Sequence, residues 1–210
     1  MLFRKKETNA CPYCNALLEN IPTRKSKCKS CGKYIFIRSG KLYTEEKAKE
    51  IDEERRERHE NQHISSVLTQ LKIGLSAYNK SLKNFPHDKY EVLKMAFDST
   101  ENKRSFSSSD YNLIAITLSQ QGKDFFPYLV KSRRTELKKN KENADESGLK
   151  LIAEIMCGPD CCEICGQNDG KRMSIEEALN KMLIPNKHCS NIVYKGLCRC
   201  GYTYTAERDK

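Results

Sequence analysis

Cysteine pairs carry the chemistry most legible in this chain. Cys11 and Cys14 form one Cys-x-x-Cys knuckle, and Cys28 and Cys31 form a second after thirteen intervening residues. Two knuckles at that separation offer a single tetrahedral ion four soft thiolates, the donor set structural zinc prefers. Pro12 helps to hold the first turn, and Gly32 follows the second where a backbone with φ > 0 fits best. Cys162 and Cys165 make a third knuckle, again followed by a glycine, Gly166. Its partners must come from His188, Cys189, Cys198 and Cys200. Zinc closes at four ligands, so two of these complete a second site. Cys189 and Cys198 are favoured, because adjacent residues rarely point the same way and a Cys-x-Cys often contributes one ligand. His188 and Cys200 stand as the alternatives. Two zinc ions are therefore expected, with Cys157 and Cys161 read as buried or spare thiols.

Composition favours metal over disulfides. The chain has 210 residues, 38% of them hydrophobic, eleven cysteines and no tryptophan. Modest cores reinforced by metal are expected from such a sequence. Met-Leu-Phe-Arg-Lys-Lys-Glu leads into no apolar signal-peptide run, and no stretch reaches membrane-spanning length. A cytoplasmic protein without membrane contact is expected, and there cysteines bind metal more often than they pair.

The net charge of +10 is uneven: residues 1–41 hold ten Lys/Arg against two acids, a local +8. Arg24, Lys25, Lys27, Lys29, Lys33 and Arg38 are the candidates for nonspecific contact with a phosphate backbone, which would be salt-sensitive. The plainer reading is solubility. Tyr13, Tyr34 and Phe36 could stack bases, but they read better as cover for the zinc and the hairpin.

The positioning elements follow from pattern. Lys33–Arg38 is β-branched and aromatic, Ser39-Gly40 makes a turn, and Lys41–Tyr43 returns. Thr44 then reads as the N-cap of a charged helix to about His63, supported by pairs such as Glu45/Lys49. His59 and His63 on it read as surface residues. Val67, Leu68, Leu71, Leu75 and Tyr78 recur at helical spacing, with Gly74 a weak point and Phe85-Pro86 a break. Tyr90–Phe97 marks a second helix, Asp98–Asp110 a polar loop, and a third helix runs from near Ser109 to Gly122. A fourth spans Asp124 to about Asn143, with Pro127 tolerated in its first turn. A strand over Leu149–Met156, a helix Ser174–Met182 with Ser174/Glu177 as a capping box, and a strand over Tyr202–Thr205 complete the reading.

The order of motifs after residue 125 is specific. Arg134-Thr135-Glu136 lies on a helix, Gly148 and a strand follow, then Cys162-Glu163-Ile164-Cys165, Asp169-Gly170-Lys171, Pro185-Asn186-Lys187-His188 and Cys198-Arg199-Cys200. This order resembles the C-terminal half of phage head-morphogenesis proteins, the MuF-like family, over roughly residues 125–205. The eight residues between Cys189 and Cys198 depart from that family's compact closing cluster, and the basic N-terminal segment is not a feature of it. The resemblance implies a zinc-stabilised module in a phage or prophage-like protein, with capsid or portal-type partners and virion association. It also suggests a buried Arg134–Glu136 pair anchoring the helix to the module.

The fold class expected is α+β and mostly helical. It comprises a basic zinc ribbon over 1–43, a charged helical connector over 44–63, and a helical domain over 64–205 closed by a zinc module from about 149. The function expected is non-enzymatic: a phage-like structural or assembly protein with nonspecific nucleic-acid contact through the ribbon. A cellular zinc-ribbon nucleic-acid-binding adaptor is the alternative. A metal-dependent nuclease ranks lower, because His188 and Asn191 lack the following helix such a site needs and surplus thiolates favour a closed coordination sphere.

Overall fold

The structure is a computed structural model and describes residues 9–84, 88–158, 160–191 and 196–207. Arg4, Lys5, Lys6, the expected break at Phe85-Pro86 and residues 192–195 lie outside the described residues. The chain is α+β, about half helical with two small sheets. It divides into two units, 1–63 and 64–210. None of the described helices is long and apolar enough to cross a membrane.

In the first unit, strands β1 (Ser26–Lys27), β2 (Tyr34–Arg38) and β3 (Lys41–Tyr43) form an antiparallel sheet in that order. Ser39 and Gly40 join β2 to β3 with φ of 50° and 77°. Two consecutive positive φ values match the twist of a tight hairpin, and the second suits glycine. The buried apolar cluster here is small, consisting of Cys11, Cys28 and Ile35 with Tyr13, Leu18, Cys31 and Leu42 packed against it. Helix α1 (Glu45–Gln70) begins where Thr44 was expected to cap it: Thr44 Oγ1 accepts from the Lys47 amide at 3.3 Å. The Tyr13 hydroxyl accepts from the Glu45 amide at 2.7 Å, so the first knuckle and the helix start are joined. Arg38 clamps Asp52 through Nε at 2.7 Å and through its terminal nitrogen at 2.5 Å.

α1 runs past the expected end at His63 to Gln70, and the chain then turns at Leu71–Gly74, with Lys72 at φ 51°. The apolar stripe read as one helix is thus divided between α1 and α2 (Leu75–Asn84). Its periodicity survives the break because the turn residues Leu71 and Ile73 stay buried, and Arg104 donates to the Leu71 carbonyl freed by the helix end. The predicted polar loop over Asp98–Asp110 is shorter than expected: α3 (Lys89–Glu101) continues into it and α4 (Ser108–Gln120) begins inside it. Ser107 makes the difference, forming a reciprocal capping box with Asp110. α5 (Phe126–Ser147) outruns its predicted end and stops at Gly148, which sits at φ 66°.

β4 (Leu151–Met156) is the centre of the second sheet. After α6 (Glu163–Gly166) come β5 (Arg172–Ser174), α7 (Ile175–Lys181) and β6 (Gly201–Ala206), and the sheet order is β5-β4-β6, antiparallel throughout. Ala153 and Ile155 face inward beside Tyr202, and one continuous apolar cluster runs from Ile64 to Tyr202. Helices and C-terminal sheet therefore share a core. Its aromatic centre is Phe97, stacked on Phe106 at 4.2 Å and met edge-on by Tyr111 and Tyr128.

Candidate metal centres

All eleven cysteines are free thiols, and nine of them fall into close groups. The Sγ atoms of Cys11, Cys14, Cys28 and Cys31 lie within 4.8 Å of one another. Cys11 and Cys31 are 3.8 Å apart and Cys14 and Cys28 are 3.9 Å apart. Four thiolates at about 2.3 Å from a central ion define a tetrahedron with edges of about 3.8 Å. The sulfurs are thus at the separations of a tetrahedral thiolate cage. Local backbone bonds shape each knuckle: Asn15 N donates to Cys11 O, and Gly32 N to Cys28 O, both at 2.9 Å. Gly32 has φ 73°, as its position required. The backbone amide of Cys31, with that of Ser30, holds the Cys28 thiol down at about 6 against the opposing effect of burial.

A second gathering forms in the C-terminal unit. Cys162, Cys165 and Cys189 make one mutually close set, and Cys165, Cys198 and Cys200 another. Cys162 and Cys189 are 3.8 Å apart, and Cys165 and Cys198 are 3.7 Å apart, again tetrahedron edges. The four expected ligands are all buried, but they do not make one mutually close set: Cys198 groups with Cys165 and Cys200 and not with Cys162 and Cys189. His188 is solvent-exposed while its neighbour Cys189 is buried, the opposed facing anticipated for adjacent residues. Cys200 is equally buried and lies with Cys165 and Cys198 in the second set. Burial opposes ionisation of Cys162, yet the amides of Cys165 and Ser190 and the thiols of Cys165 and Cys189 hold it at about 6. Burial raises Cys165 well above the ordinary thiol range, and Cys189 to about 11. Metal binding takes the thiols as thiolates, and the cation offsets the cost of ionising them.

α5 is tied to this gathering by an arginine, but not the expected one. Arg134 is exposed. Arg133, one residue earlier and facing the module, donates from Nε to the Cys200 carbonyl at 3.2 Å and pairs with Glu136 at 3.1 Å. Glu136 in turn accepts from the Tyr204 hydroxyl at 3.3 Å. Such a contact fixes the carbonyl of a cluster residue and hence its side-chain direction. At Ser174 the cap is half of the expected box: its hydroxyl accepts from the Glu177 amide, while the Glu177 carboxylate pairs with Lys181.

The expected phosphate-contacting residues divide. Arg24, Lys25, Lys27, Lys29 and Lys33 are exposed, whereas Arg38 is half-buried and held by Asp52. Lys25 Nζ sits over Tyr34 at 4.7 Å and Phe36 at 4.8 Å, and Lys33 Nζ over Tyr13 at 4.9 Å. These rings are occupied by the cations and are not free stacking platforms. Asn191 is buried and donates to the Asp160 carbonyl at 2.6 Å. No protein-family model, curated protein or solved structure matches the chain.

Proposed function

We propose that the chain is a non-enzymatic zinc-binding protein, with a ribbon site at Cys11, Cys14, Cys28 and Cys31 and a second centre in its C-terminal module. Its ribbon contacts nucleic acid through the phosphate backbone, without sequence preference, within a phage- or prophage-like structural or assembly role. The observation that carries this reading is the five exposed cations, Arg24, Lys25, Lys27, Lys29 and Lys33, set around a cage of four thiols too closely fitted for an open coordination position. Thiolate-only donors favour zinc over magnesium or calcium, which take oxygen. The assembly role rests on the motif order over residues 125–205, and capsid or portal-type proteins are the partners it implies.

The test is fluorescence anisotropy of the full chain with duplex DNA, single-stranded DNA and RNA over a salt series. Affinity is expected to fall steeply with salt, and the slope to shrink by about 0.7–0.9 for each phosphate-contacting cation removed in K25A, K27A, K29A and K33A. Absence of binding at low salt would overturn the nucleic-acid reading. A genomic neighbourhood of terminase, portal and capsid genes supports the assembly role; its absence with binding intact favours the cellular adaptor.

A further inference from the structure

Two cysteines of the C-terminal unit stand outside both close groups. Cys157 and Cys161 belong neither to Cys162/Cys165/Cys189 nor to Cys165/Cys198/Cys200. Of the two, Cys157 is placed to react with a group member. β4 and β6 are antiparallel with Met156 opposite Gly201, so one further step of that register sets Cys157 opposite Cys200. Residues directly opposite on antiparallel strands have Cα atoms about 4.5–5.5 Å apart, inside the range of about 4.4–6.8 Å that a disulfide spans. The Cys157 thiol meets the Cys200 thiol and also donates to the Cys165 carbonyl at 3.2 Å. Side chains anchor both backbones: Asp169 accepts from the Cys157 amide at 2.8 Å, and Arg133 donates to the Cys200 carbonyl at 3.2 Å. Cys157 is half-buried, and Cys200 borders a cavity of about 150 Å³, which has room for a small oxidant.

We propose that Cys157 and Cys200 form a reversible cross-strand disulfide on exposure to a peroxide, and that this bond withdraws Cys200 from the group it shares with Cys165 and Cys198. The Cys200 thiolate attacks one oxygen of hydrogen peroxide. The O–O bond breaks, the departing hydroxide takes a proton and leaves as water, and Cys200 becomes a sulfenic acid. The Cys157 sulfur then attacks the Cys200 sulfur. Its proton goes to the departing hydroxide, and a second water leaves as the S–S bond forms. The two thiols lose two electrons, and the peroxide gains them. Thiolates bind metal and a disulfide does not, so the oxidised group keeps only Cys165 and Cys198, and an ion held there is released. Cys157 is thus a redox partner for a metal-binding cysteine, although it binds no metal itself. The inference rests on reading this gathering as a metal centre and adds the means by which that centre opens.

The experiment treats the full chain, reconstituted with zinc, with hydrogen peroxide over a time course. Remaining thiols are alkylated and linked peptides mapped by mass spectrometry, while a chromogenic chelator reads released zinc. A Cys157–Cys200 link is expected to appear together with zinc release, and a dithiol reductant with added zinc to reverse both. Cys157→Ser is expected to keep the wild-type zinc content, to form no such link and to release zinc several-fold more slowly; Cys161→Ser is expected to behave as the wild type. Cys157 recovered alkylated after zinc has left, or joined to Cys161 in place of Cys200, would overturn the disulfide, and the wild-type map reads this whether or not a variant folds. A link that forms with zinc content unchanged would overturn the release. Native mass spectrometry before oxidation tests the underlying reading separately. A single ion per chain, lost when Cys11 and Cys28 are changed to serine, would overturn the C-terminal metal centre and the release with it.

Discussion

At the scale of single residues, position along a helix decides which of two neighbouring arginines matters. Arg133 and Arg134 are chemically identical, and the motif resemblance points to the second. Helical geometry turns successive side chains by about 100°, so only one can face the module. That one is Arg133, which holds the Cys200 carbonyl and Glu136. Replacing Arg133 by alanine is expected to cost about 2–3 kcal/mol of stability, the range for losing hydrogen bonds to a charged group, and to weaken metal retention in the C-terminal centre. Arg134→Ala is expected to stay within about 0.5 kcal/mol, as an exposed position should. Chemical denaturation of the two variants, with metal release followed by a chromogenic chelator, checks both. Equal losses would remove Arg133 from any special role.

At the scale of elements, helices α3, α4 and α5 meet at a half-buried carboxylate. Glu101 at the end of α3 accepts from the Tyr111 hydroxyl of α4 at 2.7 Å and from Lys131 of α5 at 2.8 and 2.7 Å. Burial alone would raise its carboxyl, but the hydrogen bonds from Lys131 and Tyr111 outweigh burial and leave it below the ordinary range. A depressed folded-state pKa contributes stability that is present above the unfolded value, about 4.3–4.5, and is lost as pH falls through the folded value. Glu101→Gln is therefore expected to destabilise the protein by about 1–2 kcal/mol at pH 7 and to flatten the acid limb of a stability–pH profile. Urea midpoints measured from pH 7 down to pH 3 test this. An acid limb as steep in the variant as in the wild type would show that other carboxylates govern it.

At the scale of the whole chain, the two units differ in what holds them. Among the described residues, the first buries a cluster of three, two of which are cysteines of the cage. Such a core cannot offset the entropy of ordering the chain without the ion. The second has a continuous core centred on Phe97, Leu118 and Leu129, much of it remote in sequence from any cysteine. Chelation is expected to abolish amide-exchange protection across 9–43 and to reduce it in β4 and β6, while α3, α4 and α5 stay protected. Hydrogen exchange with and without chelator reads this by segment. Protection in 9–43 that survived metal removal would mean the small sheet stands without the cage.

The sequence by itself determined the elements whose causes are local. Knuckle spacing announced the N-terminal cage, because its ligands lie within twenty-one residues and the hairpin that follows them is specified by Ser39-Gly40 and β-branched neighbours. The caps at Thr44 and Ser174 act within one turn and were legible, Ser174 as one half of the expected box. What only the tertiary structure decided depends on which side of an element faces a distant partner. The division of the Val67–Tyr78 stripe between two helices was hidden because the turn between them buries its own apolar residues, and pattern alone cannot tell that from a continuous helix. Ser107, read as part of a polar loop, became a cap because α4 is held against α5 through Ser108 and Ser132. The grouping of Cys198 and Cys200 with Cys165 follows from β4 and β6 pairing side by side with Met156 opposite Gly201. That register carries the ends of two strands, separated by more than forty residues of chain, to the same edge of the sheet, and no local spacing rule encodes it.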